Sequence, residues 1–163
     1  RGGEVGNSSV SNVESFAQHW PKLVKMNCNT CLVPVYWETM EPKENQFDFT
    51  QIEGIIDAAR THKLHLILLW FGSWKNSMSC YCPSWVKRDF ERFPRAKSKE
   101  GIAQEILSPF YENNCNADIK AFSSLMKYIK ASDADHQTII MVQVENEIGM
   151  LLWQKRQCIL RSF

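Results

Sequence analysis

"TQIEGIIDAARTHKLHLILLW", residues Thr50 to Trp70, joins two hydrophobic periods in twenty-one residues. Ile52, Ile55, Ile56 and Ala59 recur at i, i+3, i+4 and i+7, which puts them on one face of a helix. Thr50 and Glu53 have the spacing of a capping box, in which the hydroxyl accepts from the backbone three residues on and the glutamate reaches back. His62 and Lys63 are cations suited to a helix C-terminus. Leu64 to Trp70 is then almost continuously apolar, as in a parallel strand covered on both faces. A helix feeding such a strand is the repeating unit of an α/β sheet.

The unit recurs on both sides. Upstream, Val13, Phe16, Ala17 and Trp20 mark a helix that Pro21 bends or restarts, and a strand follows from Thr30 to Trp37. Downstream, Ile119, Phe122, Met126 and Ile129 mark another helix, leading into a strand from Thr138 to Val144. Gly2 to Val5 reads as the tail of a strand before the first helix. The pattern predicts an α/β domain with a parallel sheet. Between Gly72 and about Asn116 the chain is long, aromatic and polar, with Pro83 placed to open a short helix through Trp85 and Phe90. A long connection after the C-terminal end of a parallel strand reads as the wall of an active site.

Composition narrows the function. The chain has 163 residues, formal charge +1 and 44% hydrophobic residues, enough for one domain with a real core. Acids and bases are interspersed, against a nucleic-acid partner, which calls for a basic stripe. No apolar run approaches the roughly 20 residues of a membrane span, so no membrane partner is expected. Arg1-Gly2-Gly3-Glu4 starts no signal-peptide pattern, which leaves the compartment open. Cys28 and Cys31 form a C-x-x-C, and Cys80 and Cys82 a C-x-C. Structural zinc usually spaces both pairs by about two to four residues, and Cys31 opens the apolar run to Val35, so it reads as a buried strand residue. Neither a metal nor a cofactor is expected. His19, His62, His65 and His136 are scattered without nucleophile–base spacing, and no glycine-rich phosphate loop is present.

The strand ends carry the chemistry. The first runs into Glu4 and Asn7-Ser8-Ser9, the second into Tyr36-Trp37-Glu38. The third runs into Trp70-Phe71-Gly72-Ser73-Trp74-Lys75-Asn76, the fourth into Glu145-Asn146-Glu147. Aromatic faces stack on the C–H faces of a sugar, while amides and carboxylates bind its hydroxyls. Any single tip would pass as packing residues beside solvated charge. Four tips of the same chemistry point to a site.

The stretch Met141-Val142-Gln143-Val144-Glu145-Asn146-Glu147-Ile148-Gly149 resembles the Q-V-E-N-E-[YF]-G motif of glycoside hydrolase family 35, the β-galactosidases. Asn29-Thr30, Trp37, Glu41-Pro42 and Phe47-Asp48-Phe49 resemble that family's segment around its second strand. Gly2 to Ser9 and Leu69 to Ser77 look like a bacterial branch of these enzymes. The resemblance implies a partial (β/α)8 TIM barrel of about the first four β/α units. It implies Glu147 as general acid/base and Asn146 as holder of the sugar 2-hydroxyl in a retaining mechanism. The substrate-binding set expected around them is Glu4, Asn7, Trp37, Trp70, Lys75, Asn76 and Asn146. The substrate implied is a terminal β-D-galactoside or an oligosaccharide, and the resemblance favours a periplasmic or secreted place.

The nucleophile in that family ends the seventh strand and is expected to be absent from this chain. Glu145 cannot flank a sugar ring opposite its strand neighbour, so it reads as a structural acceptor inside the barrel mouth. Residues 1–150 read as the N-terminal half of the barrel and 151–163 as a tail unlike the family. A complete barrel takes about 250 residues, so the expected partner is a missing C-terminal half. Two alternatives stay open: a β-glucanase or β-mannanase of the same clan, and a non-catalytic carbohydrate-binding module.

Overall fold

A computed structural model describes residues 1–75, 80–98 and 100–146. The first half contains β1 (Gly2–Glu4), α1 (Val13–Phe16), α2 (Trp20–Lys25), β2 (Thr30–Tyr36), α3 (Trp37–Met40) and α4 (Thr50–Thr61). There follow β3 (His65–Lys75), α5 (Ser84–Arg88), the short strands β4 (Arg95–Lys97) and β5 (Ala103–Leu107), α6 (Glu112–Ser132) and β6 (Ile139–Asn146). The main sheet has the order β1-β2-β3-β6 and every pairing in it is parallel. Strands β4 and β5 form a separate antiparallel ribbon. Four parallel strands in chain order, each preceded or followed by a helix on the same face, make a partial (β/α)8 barrel.

Side-chain alternation fixes the two faces. Cys31, Val33 and Val35 of β2 and Leu66, Leu68 and Trp70 of β3 belong to the buried cluster that meets the helices. Leu32, Tyr36, Ile67, Leu69 and Phe71 lie on the other face, toward the barrel interior. The register Val33↔Leu68 and Tyr36↔Phe71 keeps like faces together across the strands. A slip of one residue would turn both sets over, at a cost of about 1.5–3 kcal/mol for each large side chain exposed. Ile52, Ile55, Ile56 and Ala59 are all buried, the face expected of α4. Cys31 is fully buried within β2. Pro21 stands in the first turn of α2 and restarts the helix after a 3-10 turn at Ala17–His19.

Local details depart from the sequence reading. Thr50 does not cap α4: Phe49 takes the N-cap position, and the Asp48 carboxylate accepts the Thr50 N–H at 2.9 Å. Phe49 is held there by stacking on Tyr128, ring centroids 4.4 Å apart, so packing moved the helix start by one residue. The buried face of α6 is Asn114, Asp118, Ala121, Leu125 and Ile129, whereas Ile119 and Met126 are exposed. The apolar stripe seemed to run along the wrong edge because two of its true members are polar. Strand β3 extends five residues past Trp70, which shortens the connection, and the β4–β5 ribbon structures much of the remainder.

Asp133, at the end of α6, ties three elements together. It accepts from Arg60 Nη2 of α4 at 2.8 Å and from the Ile139 N–H at the start of β6 at 2.7 Å. Burial alone would raise its pKa, but bonds from Ile139, Thr138 and Arg60 hold it below the ordinary aspartate range. Asp133→Ala is expected to cost about 2 kcal/mol, read from the urea midpoint, because it leaves the Ile139 N–H without its acceptor and takes the carboxylate from Arg60, which keeps only Thr138, Ser132 and Asp57. Since the folded pKa is depressed, this contribution is present above the unfolded aspartate pKa and disappears as pH falls through the folded one. An unchanged midpoint at neutral pH would remove Asp133 from this role.

Candidate active site

Sites in parallel α/β barrels lie at the C-terminal ends of the strands. Here the interior face at that end is aromatic at its base and polar at its rim. Tyr36 ends β2, and its hydroxyl donates to the backbone carbonyl of Asn7, which links the first two strand tips. Burial pushes the Tyr36 phenol up to about 12, so it stays a donor. Its ring stacks on Tyr81 at 5.1 Å and lies 6.1 Å from Phe71. The Lys75 ammonium sits 4.9 Å above the Phe71 ring, a cation–π contact, and donates to Asn146 Oδ1 at 2.8 Å. Lys75 is nonetheless only 6% exposed, so its charge is largely shielded from water.

Behind that rim, on the helix side, lies a pair of carboxyl groups. Asp118 of α6 accepts the Trp70 indole N–H on Oδ1 at 2.8 Å and the Ser73 N–H on Oδ2 at 2.9 Å. Glu145 of β6 accepts the Trp74 N–H at 3.0 Å and approaches the Ser73 N–H at 3.3 Å. Burial, with the hydrogen bond and charge of Asp118, pushes the Glu145 carboxyl up to about 10. Of the four N–H contacts on the pair, the one to Glu145 Oε1 is the longest, so the proton belongs on that oxygen, which donates to Asp118. Two carboxylates this close cannot both ionise in a poorly solvated place.

Gly72 makes the approach possible. A Cβ at this position would stand 2.5 Å from Glu145 Oε1, 2.5 Å from Trp70 Nε1 and 2.6 Å from Asp118 Oδ1. The strand pairing is irregular at the same place: the register jumps from Trp70↔Val144 to Lys75↔Asn146. Glu145 takes a left-handed backbone conformation, φ 59°, uncommon for a residue with a side chain. That turn sends the Glu145 side chain to the helix side and presents Asn146 to Lys75 on the other.

The expected site residues are thus only partly brought together. Lys75 and Asn146 touch, and Asn7 is reached through its carbonyl by Tyr36. Glu4 ends β1 beside Leu32, on the interior face. Trp37 and Trp70 are not sugar platforms, which corrects the sequence reading. Both are fully buried on the helix side; the Trp37 indole donates to Glu41 at 2.7 Å and stands edge-on to Trp85. Glu145 is an acceptor as expected, but outside the barrel mouth rather than within it. Glu147, Asn76 and the tail 151–163 lie outside the described residues. Tyr36, Phe71 and Tyr81 were missed as the interior aromatics, although Phe71 alternates with Trp70 and had to face the other way. Asp118 was missed because apolar periodicity carries no signal for a carboxyl buried on a helix's core face.

Two substitutions separate the paired carboxyls. Glu145→Gln replaces a protonated acid by an amide that still donates to Asp118 and accepts from Trp74. Because the folded pKa is raised, the unfolded chain loses this proton first, and wild-type stability falls as pH rises from about 4.5 toward about 10. The glutamine variant is expected to lose that slope, so its thermal midpoint exceeds the wild type's by a margin growing with pH. Asp118→Asn points an NH2 group at an N–H donor and is expected to cost about 1–3 kcal/mol in urea denaturation. Equal effects of the two would contradict the proton's placement. Gly72→Ala should be more damaging than either, measured in the same way.

Known proteins resemble the chain at the level of fold and family. The catalytic domain of a β-amylase from Paenibacillus polymyxa superposes with TM-score 0.65 and 17% identity, over 82% of this chain and 34% of that one. A β-galactosidase from the psychrophilic Marinomonas ef1 gives 0.62 and 16%, over 91% of this chain and 21% of its own. An exo-β-1,4-mannosidase from Opitutaceae bacterium strain TAV5 gives 0.63 and 14%, over 93% and 25%. The chain spans at most 34% of the length of these proteins. No curated protein sequence matches it. The assignment to family 35 is not supported, because the family model that matches is a different one. Residues 9–161 match the model of glycoside hydrolase family 42, β-galactosidase, and the chain belongs to that family.

Proposed function

We propose that the chain supplies the acid/base half of a retaining β-galactosidase site, with residues 1–150 as its barrel portion. Glu147 protonates the leaving glycosidic oxygen and then activates water, and Asn146 holds the sugar 2-hydroxyl. The observation that carries this reading is the rim of β6. Glu145 is turned back and neutral, Asn146 is pinned by Lys75, and the next residue but one after Glu145 is the carboxylate that the motif assigns. Tyr36, Phe71 and Tyr81 supply the apolar floor, in place of Trp37 and Trp70. Glu4 and Asn7 line the adjoining rim, and Asn76 is the next residue in sequence after Lys75.

A nucleophile about 5–5.5 Å from the acid completes a retaining pair, and we place it on a strand beyond the four described. The family match supports a galactoside; among barrel glycosidases the competing substrates are β-glucosides and β-mannosides. The test is hydrolysis of a β-galactoside disaccharide, whose poor leaving group requires the proton, by protein containing the complete barrel. Glu147→Gln is expected to lower kcat by about 10²–10⁴ with an unchanged thermal midpoint. The first product anomer seen by NMR should be β. Preference for glucoside or mannoside would replace the substrate, and an α product would replace the mechanism.

A further inference from the structure

The C-x-C at Cys80 and Cys82 is not absorbed by the glycosidase reading, and the structure gives it a definite arrangement. The two sulfurs lie 3.0 Å apart. Cys82 is fully buried, while Cys80 is half-buried on the wall of a cleft of about 670 Å³ lined also by Glu38, Tyr81, Lys87, Arg95 and Glu105. Among the described residues Arg95 Nη1 is buried without a hydrogen-bond partner, and Lys87 is bridged to Glu38 at 2.8 Å. One thiol therefore opens to the cleft beside two cations, and its neighbour waits behind it. The hydrogen bond from Cys82 pulls the Cys80 thiol down to about 7 against the effect of burial, with a smaller contribution from Lys87. Cys82, donating that bond and buried, is held in the thiol form. A partly exposed thiolate near cations with a resolving thiol in reach is the arrangement of an oxidant-reactive cysteine.

We propose that Cys80 and Cys82 form a two-electron redox site for hydroperoxides, whose oxidised form is an intrachain disulfide that displaces Tyr81. The Cys80 thiolate attacks one peroxide oxygen; the O–O bond breaks, and the departing hydroxide takes a proton to leave as water. Cys80 is then a sulfenic acid. The Cys82 thiol gives up its proton and its sulfur attacks the Cys80 sulfur; the S–O bond breaks and a second water leaves. In sum, two thiols and one hydrogen peroxide give one disulfide and two waters.

The consequence falls on the residue between the cysteines. Closing the sulfurs from 3.0 Å to bonding distance makes a ring whose only intervening residue is Tyr81, and it is on Tyr81 that the proposed change acts. The Tyr81 carbonyl accepts the Glu38 N–H at 2.8 Å, and its ring stacks on Tyr36 and tilts against Phe71 at 5.4 Å. Oxidation of the pair thereby reshapes the aromatic floor of the candidate site. The redox chemistry itself does not depend on what that site hydrolyses.

The test treats the full chain with limiting hydrogen peroxide and maps the products by peptide mass. Loss of two hydrogens in the peptide carrying Cys80 and Cys82 is expected before oxygen appears on half-buried Cys28 or exposed Cys115. Cys82→Ser should stop at a sulfenic acid on Cys80, trapped by a cyclic diketone. At neutral pH, Cys80 should alkylate about threefold faster in the folded chain than in urea, the net of more thiolate and lower nucleophilicity. The near-ultraviolet circular dichroism should change on oxidation of the wild type and not of Cys82→Ser. Earlier oxidation of Cys28 or Cys115, or sulfinic acid at Cys80 with Cys82 present, would overturn the dithiol site. A disulfide that leaves the spectrum unchanged would overturn its coupling to Tyr81.

Discussion

A single proton shared between Asp118 and Glu145 joins the helix layer to the strand tips. Without it, two carboxylates would face each other across the space above Gly72, and the tip of β6 would be pushed from that of β3. With it, α6 is fastened to β3 through Trp70 and Ser73, and β6 is fastened to the same turn through Trp74. The left-handed turn at Glu145 costs of order 1–3 kcal/mol, and these bonds hold it in place. What the turn accomplishes is a change of face. The carboxyl goes behind the sheet, Asn146 comes to the front against Lys75, and the site begins there.

This arrangement also explains why a strand rich in Ile, Met and Val can end in acids. Glu145 is neutral and fully engaged, so it behaves as an uncharged linker. Its neighbours are then free to serve the rim. The Lys75 cation near the interior face supplies the positive potential there, steadied by the Phe71 ring and the Asn146 amide. Behind the sheet, Asp133 does for the start of β6 what Asp118 does for its end. Both ends of the strand are thus set by buried aspartates belonging to or adjoining the preceding helix.

Much of the fold was legible in the sequence, because α4, β2 and β3 each bury a periodic set of apolar residues that no other arrangement satisfies. The helix start at Phe49 was not, since a long-range stack with Tyr128 overrode the local capping signal. The face of α6 was misread for a related reason: Asn114 and Asp118 are buried by partners distant in sequence, which periodicity cannot register. In the site, residue types were readable but orientations were not. Trp70 and Phe71 are equally good sugar platforms as letters, and only the register against β2 decides that Phe71 faces inward. The family was legible as a barrel glycosidase of β-galactosidase type, but motifs common to many such barrels did not fix which one.

A carbon NMR titration of the Glu145 side-chain carboxyl, assigned by comparison with Glu145→Gln, reads the shared proton directly. The resonance is expected to stay in its protonated position through neutral pH and to move only toward about 10. A midpoint near 4.5, the ordinary glutamate value, would mean that no proton is shared with Asp118 and that something else holds the tip of β6 in place.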